Sequence, residues 1–99
     1  MDEFESLIHS IGENTVRVVK RQSGVTRVLV EGDEVTHDVR IELCLVEDDW
    51  DLQVRLIESM AEIRELYIDE VALDYDFTVQ DECTPVPHAS PAKAYSHAI

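Results

Sequence analysis

Val39, Ile41, Leu43 and Leu45 alternate with Asp38, Arg40, Glu42 and Cys44. Successive side chains of a strand point to opposite faces, so this run buries one face and leaves the other polar. A chain that contains it must supply a second layer over the apolar face, and few architectures do so in a chain this short. Ninety-nine residues provide one compact core that removes roughly 60–65% of the unfolded chain's surface from water. An apolar fraction of 44% is ordinary for such a core and too high for a disordered chain.

The alternation extends beyond this run. Thr26, Val28 and Val30 alternate with Arg27 and Glu31, and Val16 and Val18 with Thr15 and Arg17, while Ser23-Gly24 and Gly32-Asp33 read as turns. Residues 14–46 therefore predict three strands in an antiparallel meander. Later, Val71, Leu73, Tyr75, Phe77 and Val79 face one way and Asp74, Asp76, Thr78 and Gln80 the other, which predicts a further strand rich in aromatic and β-branched residues.

Two segments carry the helical period instead. Phe4, Leu7, Ile8 and Ile11 make one stripe, Asp2 and Glu5 have capping-box spacing, and Gly12 is placed as a helix stop. Leu56, Met60, Ile63 and Tyr67, with Ile57 beside them, predict a second helix over roughly residues 50–67, with Asp48 or Asp49 as its cap. Leu52, Val54 and Leu56 also alternate, so a fourth meander strand over 52–57 is the competing reading. After Asp81-Glu82, Pro85, Pro87 and Pro91 with intervening Ala, Ser and His predict a tail without regular structure, which either stays free or docks on a partner.

The expected fold is thus α+β, a small two-layer sandwich of order α-β-β-β-α-β. Its antiparallel sheet carries both helices on one face, residues 1–82 form the domain, and 83–99 form a flexible Pro-containing tail. Arg17, Arg21, Arg27, Asp38, Arg40, Glu42, Asp74 and Asp76 would occupy the opposite sheet face.

Charge excludes more functions than it suggests. Eight Lys and Arg stand against 22 Asp and Glu, for a net charge of -14. Direct nucleic-acid binding and docking on an anionic membrane both need clustered positive charge. The acidic start (Asp2, Glu3, Glu5) does not read as a signal peptide, and no apolar run approaches the roughly 18–20 residues of a bilayer span. Two cysteines, Cys44 and Cys83, fit a reduced, cytoplasmic setting better than a disulfide scaffold. Residues 14–30 are basic (Arg17, Lys20, Arg21, Arg27), residues 31–82 are acidic, and the rest after these carries only Lys93. Pairs such as Arg27 with Asp38 or Glu42 would offset part of this. The rest is densest at Glu47, Asp48, Asp49 and Asp51, with a second row at Asp74 and Asp76. Solubility, adaptation to high salt and recognition of a basic partner each account for such a surplus.

Catalytic patterns are weak. The acids of 47–51 lack the spacing and the glycine of an EF-hand loop. Asp74 and Asp76 would stand about 7 Å apart on one strand face, the nucleus of a divalent-metal phosphoryl-transfer site, but no Lys or His adjoins them in sequence. His9, His37, His88 and His97 lack zinc-site spacing, and His37 reads as a surface turn residue. Cys44 lies on a strand with no neighbouring His or Gly-rich turn, which makes it a packed thiol rather than a nucleophile. Trp50 either anchors the helix start against the core or stands exposed among carboxylates.

No cofactor is implied. The reading that follows is a non-catalytic acidic interaction module, an inhibitor or regulator that presents Glu47, Asp48, Asp49, Trp50, Asp51, Asp74 and Asp76 to a basic protein. A nucleic-acid-binding enzyme is the fitting class of partner, because spaced carboxylates can occupy phosphate positions. Two alternatives stand beside it: a self-associating structural subunit, and a divalent-metal-dependent enzyme built on Asp74 and Asp76.

Overall fold

The computed structural model describes residues 3–79 and 92–99. The order is α1 (Glu3–Val19), β1 (Val25–Asp33), β2 (Asp38–Leu45), α2 (Trp50–Leu66), β3 (Ala72–Val79) and β4 (Ala92–Ala98). The strands form one sheet of order β3-β2-β1-β4. Both helices pack on one face of it, α1 over β1 and β4 and α2 beside β3. The two-layer α+β class is therefore the one expected, with the elements partly reassigned.

The first reassignment lies in α1, which does not stop at Gly12 but runs on to Val19. Phe4, Ile8, Ile11, Thr15 and Val19 are buried along it, a helical spacing that absorbs the Val-Thr-rich stretch read as a first strand. Burial of that stripe outweighs the modest helix reluctance of β-branched residues. Thr15 Oγ1 donates to the Ile11 carbonyl at 2.7 Å, so its buried hydroxyl is satisfied inside the helix. Gly12 is needed for space rather than for a turn: a Cβ there would stand 2.6 Å from Tyr95 Cγ. Arg17, Lys20 and Arg21 consequently sit at the C-terminal end of α1, where cations complement the helix dipole, and not on the polar sheet face.

Strands β1 and β2 form an antiparallel hairpin, with Val28 opposite Leu43 and Val30 opposite Ile41. Its turn falls at residues 34–37 and not at Gly32-Asp33. Asp33 Oδ1 accepts from the Val35 amide at 2.9 Å, and His37 takes a positive φ of 58°. Gly32 lies within β1, where Ile8 and Phe4 occupy the space a side chain would need.

The sheet is mixed rather than antiparallel, because β3 pairs parallel to β2. A helix between two adjacent strands returns the chain to its starting end, and parallel pairing follows. The 52–57 alternative is settled as helix. Asp49 is the N-cap and accepts from the Leu52 amide, while Leu52, Leu56, Met60 and Ile63 are buried. Residues 92–98, expected within an irregular tail, form β4 and pair antiparallel with β1, Tyr95 opposite Val30. The remainder of that expected tail, 83–91, lies outside the described residues.

The core unites Ile8, Ile11 and Val19 of α1, Val28 and Val30 of β1, Ile41, Leu43 and Leu45 of β2, Leu56, Met60 and Ile63 of α2 and Leu73 of β3. Tyr67, at the end of α2, fastens the two helices: its hydroxyl accepts from Asn14 Nδ2 at 2.6 Å and shares a 2.8 Å hydrogen bond with Ser10 Oγ. Cys44 has strand parity opposite to this core yet is 1% exposed. It is disulfide-bonded, which corrects the expected free thiol and removes the argument from unpaired cysteines for a reducing compartment.

Candidate functional site

The β2–α2 junction turns the chain off the sheet end and starts a helix in the space of residues 46–49. Its acids have separate local tasks. Asp49 caps α2 through the Leu52 amide at 3.2 Å, and Asp48 Oδ1 accepts from Gln53 Nε2 at 2.7 Å. Asp51 lies in the first helical turn, where negative charge is favoured by the positive end of the helix dipole. Glu47, Asp48 and Asp51 are exposed. Trp50 is 73% exposed and contributes nothing to the core. Of its two readings the anchoring one is excluded, and an aromatic side chain stands in solvent among carboxylates.

Asp74 and Asp76 belong elsewhere. They have the parity of the sheet face away from the helices, Asp74 opposite Arg40 and Asp76 opposite Glu42. Arg40 and Asp76 form an ion pair while both remain more than half exposed, so its contribution to stability is at most about 1 kcal/mol. Thr78 Oγ1 donates to Glu42 Oε1 at 3.1 Å on the same face. Because β3 is an edge strand, exposed charge on it also blocks pairing with another sheet. The structure therefore does not merge the seven residues into one patch: five lie at the start of α2, and two lie on the opposite side of the sheet.

The expected pair of Arg27 with Asp38 does not form. Arg27 lies opposite Cys44 and Ala98, and its guanidinium reaches Ser96 Oγ at 3.4 Å. Asp38 is at the far end of the hairpin, opposite Asp33. No group of three or more His, Cys, Asp or Glu side chains among the described residues is placed to hold a metal ion. His37 occupies the turn, as expected. His9 meets Tyr95 edge-on at 5.4 Å, and His97 stacks on Tyr95 at 6.3 Å. Burial, aided by the nearby Glu13 carboxylate, raises the Tyr95 phenol above its ordinary pKa.

Comparison of the chain with protein-family models, with curated proteins and with solved structures found no match. No helix among the described residues is long and apolar enough to cross a membrane. Sequence reasoning missed one feature of the site. Val54 and Ile57 are 39% and 41% exposed, with Trp50 on the same side of α2. The signal was available: Ile57 lies off the stripe formed by Leu56, Met60 and Ile63, so one helix face could not bury them all.

Proposed function

We propose that this chain is a non-catalytic acidic module that binds a basic protein through the start of α2. A protein with a nucleic-acid-binding groove is the class of partner that fits. The observation that carries the reading is Trp50, 73% exposed at the head of a helix whose first residues and preceding loop are acidic. An exposed tryptophan offers a large contact area for one ordered side chain. The carboxylates around it supply long-range attraction and orientation toward positive charge. Asp74 and Asp76 extend the negative field without sharing the contact surface.

The charge test leaves the cap intact, because losing Asp49 would itself cost about 1 kcal/mol of helix stability. The double variant Glu47→Lys, Asp48→Lys is expected to lose a basic nucleic-acid-binding protein that the wild-type chain retains at low salt and releases at high salt. Equal retention by both chains in a pull-down would refute the reading. Self-association is the second reading, favoured by β4, an edge strand without a carboxylate. A one-chain mass by light scattering at micromolar concentration counts against it.

A further inference from the structure

Helix α2 carries two apolar faces, and the fold uses one. Leu52, Leu56, Met60 and Ile63 enter the core. At about 100° per residue, Trp50, Val54, Ile57 and Ala61 fall on a second stripe roughly 60° wide, turned about 130° from the first. All four are exposed. Isolated exposed apolar side chains are ordinary, but a helically spaced row headed by tryptophan marks an interaction surface. The row is straight and about 16 Å long at 1.5 Å per residue, the length of three helical turns.

Its flanks differ in charge. Asp51, Glu58, Glu62 and Glu65 follow one another along one side, with Arg55 at its outer margin bonded to Gln22, whereas Gln53 and Arg64 lie on the other. Asp48, ahead of the helix, turns to Gln53 on that other side. We infer that this stripe is the docking surface for an amphipathic helix of a partner protein, one with an apolar ridge and a row of Lys or Arg along a single side.

The inference rests on the function proposed above and narrows it, by naming the partner's secondary structure and the stripe that receives it. A ridge of this length packs against a second helix by ridge-and-groove contact, while a partner strand would need a free sheet edge instead. The one-sided carboxylate row fixes both the sign of the partner's charge and its orientation. A second copy of this chain fits poorly. An antiparallel two-fold pair would set the carboxylate rows against each other, and any pairing joins two molecules of net charge -14.

The test uses the full chain and three synthetic peptides of about four helical turns. One has leucines at helical spacing with lysines along one flank, the second has glutamates in place of those lysines, and the third is a scramble of the first that destroys the stripe. Trp50 is the only tryptophan, so its emission reports on the site directly. The basic amphipathic peptide is expected to shift that emission to the blue and to bind at least about tenfold more tightly than the other two. Ile57→Asp should remove at least about tenfold of that affinity, and Glu58→Lys with Glu62→Lys should weaken it and flatten its salt dependence. Circular dichroism verifies that these surface variants fold.

Equal binding of the scrambled peptide, lost in Glu47→Lys, Asp48→Lys but kept in Ile57→Asp, overturns the inference while leaving the proposed function standing. Binding of neither basic peptide above the level of the glutamate peptide overturns both. The inference also falls if Ile57→Asp dissociates a wild-type dimer in light scattering. It falls equally if Trp50 in the free protein is already shielded from acrylamide, since the chain would then cover its own stripe.

Discussion

Replacing Gly12 by alanine sets two effects of known sign against each other. Gly12 lies inside α1, and a glycine in a helix interior is about 0.8–1.0 kcal/mol less favourable than alanine. On an open helix face Gly12→Ala would therefore stabilise the protein by about 1 kcal/mol. Here the new methyl would lie 2.6 Å from Tyr95 Cγ, at the root of the ring, so the whole side chain must move and not only its tip. Overpacking of this kind costs about 1–3 kcal/mol. The net effect expected is a loss of up to about 2 kcal/mol, read as a lower urea midpoint by far-UV circular dichroism. In a Tyr95→Ala background the ring is gone, and the same substitution should become stabilising by about 1 kcal/mol. The double-mutant cycle thus has a change of sign. If Gly12→Ala stabilises both backgrounds equally, Tyr95 does not rest on α1, and the account of why the helix passes through this glycine is wrong.

Two further measurements address the rest of the scaffold. Tyr67→Phe removes the hydroxyl that joins Asn14 and Ser10 to the end of α2; a loss of about 0.5–1.5 kcal/mol is expected in urea titration, and an unchanged midpoint would show that water replaces the link without cost. Because the Tyr95 pKa is raised in the fold, the neutral phenol is the favoured form there. Its stability contribution is complete below the unfolded value near 10.0 and is lost as pH rises through the higher folded value. The alkaline fall in melting temperature should accordingly be shallower in Tyr95→Phe than in wild type.

The elements legible from sequence were those whose pattern is local. The alternation of Val39 to Leu45 and of Leu73 to Val79 located β2 and β3, and the spacing of Leu56, Met60 and Ile63 located α2, with its cap narrowed to Asp48 or Asp49. Errors arose where two patterns shared the same residues. Thr15 to Val18 alternate like a strand, yet Ile8, Ile11, Thr15 and Val19 also hold helical spacing, and only packing against the sheet decides between them. Strand β4 is rich in alanine and has little intrinsic β preference. It exists through its register on β1 and the Tyr95 ring over Gly12, neither of which a linear pattern displays. The acidic stretch at 47–51 was visible as composition, while the apolar stripe beside it showed only as the misfit of Ile57 to the core stripe. Val54 and Ile57 count as core in any hydrophobic tally until the core is seen to be filled without them.

The sheet order has a consequence for how the protein avoids clumping. Strand β1 is interior only because β4 lies along it. Were those alanine-rich residues to peel away, Val28, Leu29 and Val30 would become a bare rim with unsatisfied amides and carbonyls, ready to recruit an extended segment from any neighbour. Approaching neighbours of the same kind would meet a strong mutual repulsion before any such ladder formed. The abundant acids would thus oppose such pairing whether or not the protein has a binding partner.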